Sequence, residues 1–289
     1  MPSSLAVLLF LIVLAACTPA GEPTRTAGGL PVPLPHFSHV VVVVEENHGY
    51  DQIISSPDAP YLNALAERGA VFTDAHGVTH PSQPNYLALF AGSTFGLTSD
   101  ACPQALSGPH LASELLAHGR SFTAYSEDLP RIGYSGCSAG DSGSGPLYAR
   151  KHAPWADFAN VPAVSHQPFS SFPTDLRRLP TVAFVVPNQQ DDMHSASVAA
   201  GDAWLQQHIG AYAQWAPAHN SLLIVTWDED DGSLDNHILT LFVGAHVHPG
   251  KYAETIDHFD ILRTIEALFS LSYTHNAARA STIADVWQA

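Results

Sequence analysis

The chain has 289 residues with 27 acidic against 11 basic side chains, a formal balance of −16, and so lacks the basic face that duplex nucleic acid requires. That length is enough for one large α/β domain with a real core or for two small ones, and a hydrophobic fraction of 46% with no long polar tract after about residue 35 favours one globular unit. The 17 histidines would cancel the negative balance if all were protonated, so the field around the molecule depends steeply on pH.

The apolar run over 5–14 is too short to span a bilayer and has the length of a signal-peptide core. It ends in Leu14-Ala15-Ala16-Cys17, which resembles the bacterial lipobox. Residues 1–16 are therefore expected to be an export signal of lipoprotein type and Cys17 the lipidated residue. The mature chain would meet the membrane only through that lipid, facing the periplasm or the cell exterior. An ordinary secretory signal, releasing a soluble protein, is the alternative. Residues 17–35 hold five prolines (Pro19, Pro23, Pro31, Pro33 and Pro35) and read as an extended tether. Residues 36–289 are expected to form a single catalytic domain. Apart from Cys17, two cysteines remain, Cys102 and Cys137, and in an oxidising compartment that even pair predicts a disulfide.

Within the domain, the valine run over 39–45 has the pattern of a parallel strand buried on both faces. Residues 61–68 have helical spacing and stop at Gly69, 70–73 read as a short strand, and Pro84 opens a helix over 84–90. A helix is predicted over 111–118, stopped by Gly119, and a strand over 121–125. Residues 126–175 are rich in Gly, Ser and Pro without periodicity, a length of loop that is usually functional. Strands follow over 181–186, 221–227 and 238–243, with helices over 198–215 and 257–268. Strands alternating with helices indicate a doubly wound, mostly parallel α/β sheet flanked by helices.

Three segments run from apolar stretches into chemically active residues. The valine strand ends in Glu46-Asn47, oxygen donors suited to a hard cation, or else a solvated acid and a helix cap. The strand over 221–227 ends in Asp228-Glu229-Asp230-Asp231-Gly232, and four adjacent acids repel one another unless a cation or ordered donors intervene. Ser82 lies between Pro81 and Pro84, with Asn85 three residues on, at the start of a helix whose N-terminus favours a phosphate. Without a base or a metal such a serine is a helix cap; with one it is a nucleophile. His152, in Arg150-Lys151-His152-Ala153-Pro154, and His194, in Asp192-Met193-His194, could contact a phosphoryl group or donate a proton, and His80 adjoins Ser82.

Taken in order, Glu46-Asn47, His80-Pro81-Ser82-Gln83-Pro84-Asn85-Tyr86, Arg150-Lys151-His152-Ala153-Pro154, Asp192-Met193-His194, Thr226-Trp227-Asp228-Glu229 and His258 with Leu262-Arg263-Thr264-Ile265-Glu266 resemble the phosphoesterase family. That family groups bacterial and fungal acid phosphatases with bacterial phospholipases C and is similar in fold to alkaline phosphatase. The resemblance implies one divalent metal held by Glu46, Asn47, Ser82, Asp228 and Glu229, with Glu45 as the alternative to Glu46. It implies Ser82 as nucleophile through a phosphoseryl intermediate, with His152 and His194 acting on the phosphoryl or leaving group. Asn85, His80 and Lys151 would bind substrate. An all-oxygen ligand set favours Ca²⁺, Mg²⁺ or Mn²⁺ over Zn²⁺, although Zn²⁺ also accepts carboxylates. A second metal would need a set such as Asp192, His194, His237 and His258. The expected activity is phosphomonoester hydrolysis of an acid phosphatase, with phospholipase C activity as the alternative. A non-catalytic cation-binding surface lipoprotein is the reading from a different class.

Overall fold

The computed structural model describes Met1 and residues 34–288, so the expected export signal, the lipidation at Cys17 and nearly all of the tether lie outside the described residues. The valine run forms β1 (His39–Glu45), in which every residue after His39 is buried. A short helix α1 (Tyr50–Ile53) and α2 (Pro60–Ala66) lead to β2 (Ala70–His76), then α3 (Ser82–Ala91), α4 (Leu111–Ala117) and β3 (Phe122–Ser126). The irregular middle contributes a two-residue ladder of β4 (Ser138–Ala139) with β5 (Tyr148–Ala149), and β6 (His166–Pro168). The remainder is β7 (Val182–Val186), α5 (Val198–His208), α6 (Gly210–Trp215), β8 (Ser221–Trp227), β9 (His237–Gly244), β10 (Gly250–Asp257) and α7 (His258–Leu268).

Eight strands form one sheet in the order β10-β2-β9-β8-β1-β7-β3-β6. All pairings are parallel except those of β9, which runs against both β2 and β8. Full burial of β1, β7 and β8 along their apolar runs requires cover on both faces of the sheet. Two groups of helices supply it: α5 packs on α2 and α6, while α3 packs on α7. Cys102 and Cys137 form the expected disulfide, tying the loop after α3 to the irregular middle.

Three elements depart from expectation. The helix expected over 198–215 divides at Ile209, where Gly210 approaches the Tyr61 hydroxyl; glycine weakens a helix interior by about 1 kcal/mol relative to alanine. β2 runs three residues past the predicted end at Thr73, carried on by its pairing with β10 and β9. β10 escapes sequence reading because it is a largely exposed edge strand with no buried apolar alternation to betray it.

Candidate active site

The parallel strands bring their carboxyl ends to one edge of the sheet, where α/β folds gather reactive groups. Glu46 and Asn47 follow β1, Asp192 lies in the turn after β7, and Asp228 and Glu229 follow β8. Backbone bonds lock these ends together: the Glu46 N–H donates to the Asp192 carbonyl at 2.8 Å, and the Asp228 N–H to the Glu45 carbonyl at 3.0 Å. Asn47 takes a left-handed conformation (φ 54°), which asparagine tolerates, and its N–H donates to Asp228 Oδ1 at 3.3 Å.

Ser82, the first residue of α3, is buried against two of these acids. Its hydroxyl donates to Glu229 Oε1 at 2.8 Å and stands 3.2 Å from Glu46 Oε2. The other Glu229 oxygen is held by His80 Nδ1 at 2.5 Å, and His80 Nε2 faces the Ser233 carbonyl at 3.1 Å. Tyr86, one turn further along α3, donates to Glu46 Oε1 and stacks on His152 with ring centroids 5.1 Å apart.

Glu46, His152 and Asp192 form a buried cluster in which one donor atom of each lies within 4.8 Å of the others. His152 Nε2 sits 3.0 Å from Glu46 Oε1 without the angles of a hydrogen bond, and its Nδ1 is 3.6 Å from Asp192 Oδ2. Burial, and then the charge of Lys151, pushes the His152 imidazole well below the usual histidine range. Burial likewise pushes the carboxyls of Glu46, Asp192 and Asp228 well above their usual range, and each is pushed further by a neighbouring acid. Asn47 Oδ1, Asp192 Oδ2 and Asp228 Oδ2 are buried with no hydrogen-bond partner among the described residues. Such atoms are costly to leave unpaired, and this set of carboxylate, amide and imidazole donors fits a divalent cation. The imidazole makes the set mixed rather than all-oxygen, which brings Mn²⁺ and Zn²⁺ level with Ca²⁺ and Mg²⁺.

Beside Pro81, the residue before Ser82, lies a cleft of about 490 Å³ lined by Asn47, His80, Pro81, Glu229 and the turn that follows it. His194 lies beside His152, with ring centroids 5.9 Å apart, and Lys151 pairs with it. Lys151 Nζ donates to Asp100 Oδ2 at 3.1 Å and to His194 Nε2 at 3.3 Å, leaving the opposite ring nitrogen of His194 to donate to Ser195 Oγ at 2.9 Å. Burial opposes the charge on Lys151, but Glu46, Asp100 and Asp228 outweigh it and raise its pKa.

The remaining candidates take distinct places in the structure. Asn85 has no atom free for a phosphate: its Oδ1 accepts from the Val78 and Thr79 N–H groups, and its Nδ2 donates to the Thr79 and Pro81 carbonyls. Asn85 instead shapes the loop that carries Ser82. Glu45 and Glu46 part company as successive residues of an extended chain do. Glu46 reaches Ser82, whereas Glu45 falls among Asp191, Glu127 and Asp202. The second-metal set does not assemble: Asp192 belongs to the first cluster, His237 Nε2 meets the Thr73 carbonyl, and His258 Nε2 is buried against the Trp227 carbonyl. Of the four consecutive acids, Asp230 caps its own turn and Asp231 accepts from Gln52. The joint role of Asp192 and Tyr86 with Glu46 escapes sequence reading; only their places in the Asp192-Met193-His194 and His80-to-Tyr86 segments hint at it.

The fold is shared with a solved protein of the alkaline phosphatase superfamily. A member of that superfamily from Vibrio parahaemolyticus superposes with a TM-score of 0.57 at 14% identity, covering 86% of this chain and 71% of that one. A phosphonate monoester hydrolase of Agrobacterium radiobacter superposes at 0.56 with 12% identity, covering 86% and 77%. Residues 54–272 match the Phosphoesterase family model, and the chain belongs to that family. It is 53% identical over 259 residues to a phosphatidylinositol-3-phosphatase of Mycobacterium tuberculosis, covering 88% of this chain and 84% of that protein. It is also 30% identical over 224 residues to a phosphate-repressible acid phosphatase of Penicillium chrysogenum, covering 73% of this chain. The chain spans 54–59% of the length of the fungal acid phosphatases it matches.

Proposed function

We propose that the chain hydrolyses phosphate monoesters with Ser82 as the nucleophile. The observation that carries this reading is the Ser82 hydroxyl, buried and donating to Glu229 Oε1 at 2.8 Å beside the Glu46–His152–Asp192 cluster. A serine hydroxyl needs a neighbouring base or metal to attack, and here it has a candidate for each.

As Ser82 Oγ bonds to phosphorus, Glu229 Oε1 accepts its proton, while His80 holds the other carboxylate oxygen and fixes the orientation. The bond from phosphorus to the ester oxygen breaks, and the departing alkoxide takes a proton from solvent. Water then attacks the phosphoserine and releases its proton to solvent, the bond from phosphorus to Ser82 Oγ breaks, and Glu229 returns its proton to Ser82 as phosphate leaves. Lys151 carries the positive charge that a phosphate dianion requires, and His194 is oriented beside it. Glu46, Asp192 and His152, with the unpaired oxygens of Asp228 and Asn47 nearby, would hold a divalent cation, which would supply positive charge beside Ser82 and the phosphoryl group.

The Mycobacterium tuberculosis relative makes a phosphoinositide monoester the first natural substrate to try. The test compares release of phosphate from p-nitrophenyl phosphate and phosphatidylinositol 3-phosphate with cleavage of a choline-phosphate diester, with and without chelator, in wild type and Ser82→Ala. Monoester turnover lost in both the chelated and the substituted protein supports the reading. Preferential diester cleavage moves the protein to the phospholipase C branch, and turnover that survives Ser82→Ala removes the serine from the chemistry.

A further inference from the structure

A cavity larger than the cleft beside Pro81 lies elsewhere in the fold. About 730 Å³ in volume, it opens where the loops after β3 and β6 meet α5 and α6. That is the size of a small-molecule site. Aromatic side chains are part of its lining: Phe169 and Phe172 stack with centroids 5.3 Å apart, and Tyr212 and His208 lie on the helical side. The acids Glu127 and Asp128 line it as well, and no Lys or Arg side chain does.

The two acids are held in place. Glu127 accepts the Trp204 indole N–H at 2.9 Å on one oxygen and the Asn188 backbone N–H at 3.0 Å on the other. Asp128, in a left-handed conformation (φ 53°), accepts from the Asn188 side-chain amide at 2.9 Å. Each carboxylate oxygen retains an unused acceptor direction. Aromatic faces with fixed carboxylates and no competing cation complement one ligand chemistry, a positive charge carried on an apolar frame.

We infer that this cavity is a binding site for an organic ammonium ion, distinct from the phosphoesterase centre. The apolar part of the ligand packs between Phe169, Phe172 and Tyr212, and its charged nitrogen meets Glu127 and Asp128. Burial pushes the Glu127 carboxyl up to about 7, and a bound cation would hold it ionised.

Titration calorimetry of the intact protein with 4-phenylbutylammonium and with uncharged 4-phenylbutanol tests this site. The ammonium should bind at least about tenfold more tightly than the alcohol. Asp128→Asn keeps a residue that tolerates the left-handed backbone and can still accept from Asn188, so it should fold and lose most of that preference. Phe172→Ala should weaken both probes. Phosphate-ester hydrolysis should be unchanged in Asp128→Asn, showing that the fold is intact. Equal affinity for the two probes would overturn the inference, as would the absence of ammonium binding at millimolar probe, or ammonium affinity unchanged in both variants.

Discussion

The Ser82 hydroxyl and the Glu229 carboxylate meet at 2.8 Å, joining the first turn of α3 to the end of β8 across 147 residues of sequence. Glu229 can serve this serine because its other oxygen is taken by His80. Without His80 the carboxylate would be free to rotate and to accept from solvent. His80→Ala should therefore lower kcat by about 10- to 100-fold. KM should change less, since His80 orients the base more than it holds the ester. His80→Asn, which keeps a donor, should recover part of the loss; steady-state kinetics of the two variants check this.

Divalent cation should stabilise the protein as well as activate it. Burial, and then neighbouring acids, push the carboxyls of Glu46, Asp192 and Asp228 up, and three buried oxygens nearby lack partners. Ligand binding to the native state alone adds about 2.7 kcal/mol at a hundredfold excess over Kd. Chelation should lower Tm by several degrees and abolish hydrolysis, and Asp192→Asn should remove the Tm response to added cation. Scanning calorimetry with and without chelator measures both effects.

Asn85 is expected to matter for stability before it matters for substrate. Its side chain makes four hydrogen bonds to the backbone of the loop that precedes α3. At about 1 kcal/mol net for each bond, Asn85→Ala should cost about 2–4 kcal/mol. Urea unfolding measures the loss. A variant with undiminished stability but a raised KM would return Asn85 to phosphate binding.

Stability should also fall from acid towards neutral pH at Glu266 of α7. Its carboxyl is fully buried, accepts from the Thr274 N–H and hydroxyl, and burial raises its pKa from 4.5 to about 7. Between those values the native state holds a proton that the unfolded chain releases. The stabilisation is thus complete below about pH 4.5 and lost as pH rises through about 7, a difference of about 3 kcal/mol. Glu127 and Glu254, also raised to about 7 mainly by burial, act with the same sign. Glu266→Gln should flatten the pH dependence of urea unfolding; an unchanged slope would contradict the assignment.

The parts of the site that sequence reveals are those that end uniform strands. Glu46 and Asp228 stand out because each terminates an apolar run whose burial on both faces dictates a parallel central strand, and hence a known reactive edge. Ser82 stands out through its flanking prolines. What sequence conceals is set by side-chain direction and by distant pairing. Asp192 joins Glu46 because of a backbone bond between the turn after β7 and the end of β1, which no local pattern announces. Asn85 has the right residue type for phosphate binding, yet its hydrogen bonds are spent on its own loop. In the fold, β10 is hidden for a related reason: an edge strand with a solvated face has no apolar alternation to show.

Acid-quenching the enzyme during turnover of p-nitrophenyl phosphate, followed by peptide mass spectrometry, tests the central claim most directly. Phosphoserine at Ser82 in wild type, accumulating early and absent from Ser82→Ala, is the predicted result. Full turnover with no phosphorylated residue, or with the phosphoryl group on a side chain other than Ser82, would contradict it.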